Sequence, residues 1–104
     1  MKMDRNKMLK QVQKMQTQMN QMQEELANEV VEAASGGGMV RARANGQGDV
    51  VSISISKEVV DPEDVEMLED LVLSAVKESI RLGREMAEKR MAGLTGGLNF
   101  PGLF

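Results

Sequence analysis

A run of 31 residues with no helix breaker and a single narrow apolar seam constrains this chain more than any other feature. From Asp4 to Ala34 there is neither Pro nor Gly, and apolar residues fall at Met8, Val12, Met15, Met19, Met22 and Leu26, spaced 4, 3, 4, 3 and 4. That is a heptad seam held for nearly three heptads. It slips after Leu26, where Glu29 takes the next seam position and Val30 follows. The outer face is rich in Gln, a good helix former. A helix over this whole span is about 45 Å long. A chain of 104 residues cannot cover all of it, so part must project or pair with a second copy.

The rest of the domain must be built from aliphatic side chains. Cys, His, Tyr and Trp are absent, and the two aromatics, Phe100 and Phe104, stand among the last five residues. Disulfides, thiolate nucleophiles, imidazole bases and the usual zinc sites are excluded with them. The longest apolar runs are far too short to span a bilayer. Met1-Lys2-Met3-Asp4-Arg5 does not open a secretory signal, so a cytoplasmic protein without membrane contact is expected.

Ser35-Gly36-Gly37-Gly38 ends the first helix as a flexible joint. Val40, Ala42 and Ala44 then alternate with Arg41, Arg43 and Asn45, and Val51, Ile53 and Ile55 with Ser52, Ser54 and Ser56. Asn45-Gly46-Gln47-Gly48 between them is a turn signal, so the two runs form an antiparallel hairpin, each strand apolar on one face. Lys57-Glu58-Val59-Val60 offers a short third strand. Asp61-Pro62 opens a second helix, with Asp61 as N-cap and Pro62 in first position. Val65, Leu68, Leu71, Val72, Ala75, Val76, Ser79, Ile80 and Ala87 recur at helical spacing as its inner face, and the helix is expected to stop at Gly93. The fold class is α+β: long N-terminal helix, hairpin or three-stranded sheet, long C-terminal helix. Residues 1–92 form one domain and residues 93–104 a Gly-rich, loosely ordered tail.

The net charge of −3 taken alone argues against a nucleic-acid partner. Its distribution does not. Residues 1–23 carry Lys2, Arg5, Lys7, Lys10 and Lys14 against Asp4, whereas residues 58–70 hold seven acids and no base. If the helices lie antiparallel, both basic halves fall at one end and both acidic halves at the other. Lys7, Lys10 and Lys14 make one helical stripe, and Lys77, Arg81 and Arg84 a second, each covering about 10 Å of axis. Such strips suit a row of phosphates, which a duplex carries at about one per 1.7 Å. Solvated helix faces carry charge runs too, and the matching of the two stripes is what favours function.

At this point the sequence resembles the YbaB/EbfC family of small bacterial nucleoid-associated proteins. The resemblance rests on Lys10-Gln-Val-Gln-Lys-Met-Gln16, Met22-Gln-Glu-Glu-Leu26, Gly36-Gly-Gly-Met-Val40, Ala44-Asn-Gly46 and Val51-Ser-Ile-Ser-Ile55. Glu66-Met-Leu-Glu-Asp-Leu-Val72 and Met91-Ala-Gly-Leu-Thr-Gly-Gly-Leu-Asn-Phe-Pro-Gly102 complete it. It implies a homodimer joined through its sheet region, with helices protruding like tweezers to bind double-stranded DNA without a cofactor. Lys7, Lys10, Lys14, Lys77, Arg81 and Arg84 would be the DNA contacts, with Arg5, Lys89 and Arg90 peripheral. The implied location is the nucleoid, within the cytoplasm.

Other readings are weaker. The Met seam offers soft ligands for Cu(I), but methionines of this spacing ordinarily pack. The acids of residues 58–70 lack calcium-loop spacing and suit a helix start. No Gly-Lys-Ser/Thr follows the triple glycine, so no phosphate loop is present. Without His or Cys, and with no carboxylate pair in a recognisable pocket, an enzyme acting on a small-molecule substrate is not expected. The main alternative is a coiled-coil chaperone-like or scaffolding protein, whose plan of helix, hairpin and helix is similar.

Overall fold

The computed structural model describes residues 5–96, and the side chains of residues 5–94. In order, the elements are α1 (Arg5–Asn28), β1 (Val30–Ser35), β2 (Val40–Asn45), β3 (Val50–Ile55) and α2 (Val65–Gly96). The strands form one antiparallel sheet in the order β1-β2-β3. The α+β class and the three-stranded sheet stand, but the third strand comes from the other side of the hairpin. Val30–Ser35, expected as the end of α1, is β1, paired with β2 from Val30↔Asn45 to Ser35↔Val40. Lys57–Val59, expected as a strand, is a single 3-10 turn. The slip of the heptad after Leu26 marks the true helix end. Asn28 there donates its side-chain amide to the Glu24 carbonyl, and the β-branched pair Val30-Val31 then prefers a pleated strand.

The Gly36-Gly37-Gly38 joint therefore links β1 to β2. The Asn45–Asp49 turn closes β2 onto β3 through the Asn45 side chain. Its Oδ1 accepts from the backbone N–H groups of Gln47 (3.0 Å) and Asp49 (3.1 Å), while Nδ2 donates to the Ala27 carbonyl at 3.2 Å. Val51 is the extra residue of a bulge, so Val50 rather than Val51 stands opposite Ala44.

One face of the sheet is covered by α2. The contact is built from small residues: Ala33, Ala42 and Ala44 on the strands meet Ala75 and Ser79 on the helix, all buried. Gly83 continues the row. A Cβ there would stand 2.3 Å from the Asn45 carbonyl oxygen. Ala75, Ser79 and Gly83 recur every four residues and let the helix lie close on the strands. Leu68, Leu71, Val72 and Val76 are partly buried around this core. Val65, expected inside, is 51% exposed.

The helix begins later and ends later than the sequence suggests. Asp64 is the cap, its carboxylate accepting from the Met67 N–H at 3.2 Å, while Asp61 closes the preceding turn by accepting from Glu63 N–H. The C-terminal half continues through Gly93 to Gly96. The remainder of the expected tail, residues 97–104, lies outside the described residues.

Strand β3 stands at one edge of the sheet, and α2, which lies over β1 and β2, leaves its face largely open. Ile53 and Ile55 share the face of the buried Ala42 and Val40 with which they pair, yet remain 47% and 41% exposed. The apolar face expected for this strand exists; nothing in the chain covers it among the described residues.

Candidate nucleic-acid interface

The two helices leave the sheet at the same end. The close contact of α1 with the sheet is Leu26, buried against Gly46, whose N–H donates to the Leu26 carbonyl at 2.8 Å. Further along, the Gln47 side chain donates to the Gln23 carbonyl at 3.2 Å. On the other side, α2 passes the turn at Gly83 and Arg84, the Arg84 side chain lying over Gly48. Arg90 of α2 lies 3.5 Å from Glu25 near the end of α1 and binds Glu29, in the link from α1 to β1.

This places the expected site residues differently from the simple antiparallel picture. Lys7, Lys10 and Lys14 are exposed along one face of the projecting part of α1, as are Arg5 and the neighbouring Gln side chains. They lie about 18–28 Å along the helix from Leu26. Lys77, Arg81 and Arg84 are exposed on the part of α2 that flanks the sheet and its turn. The two stripes are not brought together. The acidic end of α1, not its basic end, meets the basic stretch of α2. The acids at the start of α2 lie at the opposite end of the sheet, where Ser35 Oγ donates to the Leu71 carbonyl at 2.6 Å.

The cations also differ in their availability. Arg81 grips Glu78 with two nitrogens, at 2.6 and 3.0 Å, and Glu85 with a third at 2.9 Å. Those carboxylates raise the Arg81 pKa further above its ordinary value. The Glu78 carboxyl is lowered, chiefly by its hydrogen bond to Arg81, and that of Glu85 by Lys89 first and Arg81 second. Lys89 lies 3.2 Å from Glu85. Arg81, Lys89 and Arg90 are thus committed within the protein. Among the described residues Lys7, Lys10, Lys14, Lys77 and Arg84 make no ion pair.

Sequence reasoning missed the partner of a second basic pair. Arg41 and Arg43 stand on the sheet face away from α2, bound to Glu32 at 3.8 and 3.1 Å. Glu32 belongs to β1, so this pairing is invisible while residues 30–35 are read as helix. No group of His, Cys, Asp or Glu suited to a metal occurs among the described residues. No helix among them is long and apolar enough to cross a membrane.

Among the described residues this is a small helix–sheet–helix protein whose first helix carries exposed cations. Comparison with known proteins gives the particular group: residues 1–98 match the YbaB/EbfC DNA-binding family, and the chain belongs to it. A nucleoid-associated protein of Thermoanaerobacter pseudethanolicus is 57% identical over 99 residues, covering 95% of this chain and 89% of its own length. A nucleoid-associated protein of Desulforamulus reducens is also 57% identical, covering 95% and 94%. The fold is similar to the crystal structure of an uncharacterized Helicobacter pylori protein, with TM-score 0.69 and 25% identity over 93% of this chain and 98% of that one. The family is a DNA-binding one and not an enzymatic one.

Proposed function

We propose that this chain binds double-stranded DNA as a homodimer, gripping phosphates with the exposed lysines of α1 and reading bases little. It organises or protects DNA in the bacterial nucleoid, with no cofactor, small-molecule substrate or membrane involved. The observation that carries this reading is Lys7, Lys10 and Lys14 on one face of a projecting helix, with no carboxylate partner among the described residues. Lys77 and Arg84 are the supporting contacts on α2. Arg81, Lys89 and Arg90 would have to leave their carboxylates to reach a phosphate, so their part is secondary. The exposed apolar edge of β3 supports the homodimer: a half-bare strand edge of this kind invites a second copy. Two copies bring two arms to the duplex.

Three lysines on each of two arms give about six phosphate contacts, and a slope of log K against log salt of about −5. The test is a duplex gel shift at several salt concentrations, comparing the wild type with Lys7→Glu/Lys10→Glu/Lys14→Glu. The triple variant should lose the shift while keeping its circular dichroism. A wild-type affinity insensitive to salt, or a triple variant that binds as well as its parent, would overturn the reading.

A further inference from the structure

The apolar seam of α1 changes character along its length. Leu26 is buried and Met22 and Met19 are half-buried, but Met15, Val12 and Met8 are 41%, 58% and 46% exposed. The position of α2 accounts for the change. Arg90 ties the last turns of α2 to Glu25 and Glu29, and from that tie the two helices run in opposite chain directions. Each residue gained along α2 is then matched by one lost along α1. α2 ends at Gly96, six residues past Arg90, which is level with about Met19, six residues before Glu25. Met91 and Leu94 of this last stretch are themselves half-buried. The seam goes bare where α2 stops: Met15 lies about 6 Å and Met8 about 17 Å further along. A contiguous apolar strip left in water on a helix of this length calls for a cover.

The residues that follow Gly96 have the chemistry and the reach to provide it. Gly97-Leu-Asn-Phe-Pro-Gly-Leu-Phe104 carries no charged side chain, and its four large apolar residues include both aromatics of the chain. Eight residues of extended chain span about 26 Å, more than the distance from the end of α2 to Met8. The flanks of the bare seam, Leu9, Gln11, Gln16 and Gln18, are uncharged as well. Their amides can donate to and accept from an extended backbone laid beside them, whereas a charged segment would find no complement there. A segment tethered this close acts at an effective concentration of about millimolar, which favours it over any separate apolar partner in dilute solution.

We propose that residues 97–104 dock on α1 of the same chain and cover its seam from Met15 toward Met8. Lys7 and Lys14, on the outer side of the helix, and Lys10, opposite the seam, stay open to solvent. Each arm then has its apolar strip closed and its cationic face free, which keeps the two arms of a dimer from collapsing onto one another. That consequence rests on the proposed function; the docking itself does not.

The chain has no native cysteine, so introduced thiols report directly. Met15→Cys/Asn99→Cys places one thiol on the seam and one in the docking segment while keeping all four apolar residues of that segment; a docked segment brings the two within disulfide reach. Thr17→Cys/Asn99→Cys, with Thr17 exposed on the outer face, is the control. In a glutathione redox buffer at low micromolar full-length protein, the Met15 pair should close a disulfide within one chain with an equilibrium constant at least about tenfold above that of the Thr17 pair. Equal closure of the two pairs would overturn the docking, and so would a Met15 pair that joins two chains instead of closing within one. In a second measurement, the thiol of Met15→Cys alone is alkylated in the otherwise native full-length chain. Adding Phe100→Ser/Phe104→Ser, which leaves the folded body untouched, should speed alkylation at least about fivefold at every protein concentration. An unchanged rate overturns the docking. Protection that grows with protein concentration assigns the seam to a second copy and overturns it too. Neither measurement contains DNA, so a failure of the DNA-binding reading leaves the outcome intact.

Discussion

Two glycines in α2 should respond to the same substitution with opposite signs. At a tolerant helix site Gly→Ala stabilises by up to about 1 kcal/mol, because alanine has less backbone freedom to lose. A methyl group at position 93 would have no neighbour within 4 Å, so Gly93→Ala should stabilise within that limit. At Gly83 the methyl carbon would lie 2.3 Å from the Asn45 carbonyl oxygen and 3.3 Å from its carbon. A carbon and a carbonyl oxygen approach to about 3.3 Å at closest, so α2 must lift from β2 by about 1 Å. The obstacle is backbone at the end of a strand and cannot rotate aside. Overpacking of this severity costs about 3 kcal/mol, the upper part of the usual range. Setting the propensity gain against it leaves Gly83→Ala less stable by about 2 kcal/mol. With a urea slope of about 1–2 kcal/mol per molar, the midpoint should fall by about 1–2 M. Urea denaturation followed by circular dichroism, at one fixed protein concentration, measures both variants. A Gly83→Ala protein as stable as Gly93→Ala would refute the close packing of α2 on the Ala42–Ala44 stretch.

Two further predictions concern side chains. Asn45→Ala removes three hydrogen bonds at a buried position and leaves the Ala27 carbonyl without its amide donor; the loss should be about 2–3 kcal/mol in the same denaturation assay, and hydrogen exchange should speed up at the Asn45–Asp49 turn. The Arg81 bridges predict a pH dependence. Glu78 and Glu85 have folded-state pKa values below the ordinary 4.5, so their contribution is present above that value and is lost as pH falls through the lowered ones. The stability gap between wild type and Arg81→Gln, followed by thermal melts, should therefore be open at pH 6 and close toward pH 3; a gap constant across that range would refute the coupling.

The parts of the fold legible in the sequence are those where period and punctuation agree. Alternation on both sides of Asn45-Gly46-Gln47-Gly48 locates the hairpin, and the 3.6-residue recurrence of Leu68, Leu71, Val72, Ala75, Val76 and Ser79 locates the inner face of α2. β1 is hidden because Val30-Val-Glu-Ala-Ala-Ser35 contains no breaker and joins α1 without a loop signal. Its small inward residues, Val31, Ala33 and Ser35, suit a strand pressed close by α2, but Ala33-Ala34 also reads as helix. Only the pair Val30-Val31 and the interrupted seam speak against helix. The exposure of Ile53 and Ile55 is illegible for a different reason. Alternation tells which face a residue takes, not whether the chain itself covers that face.

Misplacing β1 also misplaces the charges, and the corrected layout explains how an acidic protein can hold a polyanion. With β1 taking six residues, α1 ends at Asn28, and Glu24 and Glu25 of its last turns sit with the following Glu29 at the root of the arm. Arg90 neutralises part of that cluster. Lys14, Lys10 and Lys7 lie about 15–26 Å along the helix from Glu24. The screening length at physiological ionic strength is about 8 Å, so the lysines are about two to three screening lengths from the acids at the root. The acids of residues 58–70 are at the far end of the sheet. On the proposed reading, a duplex approaching the distal part of α1 meets a local field set by three lysines, while one approaching the far end of the sheet meets acids. Lowering the ionic strength lengthens the reach of the acids and the lysines alike, so the proposed preference for α1 over the acidic end of the sheet should be sharpest at the salt concentrations of a cell.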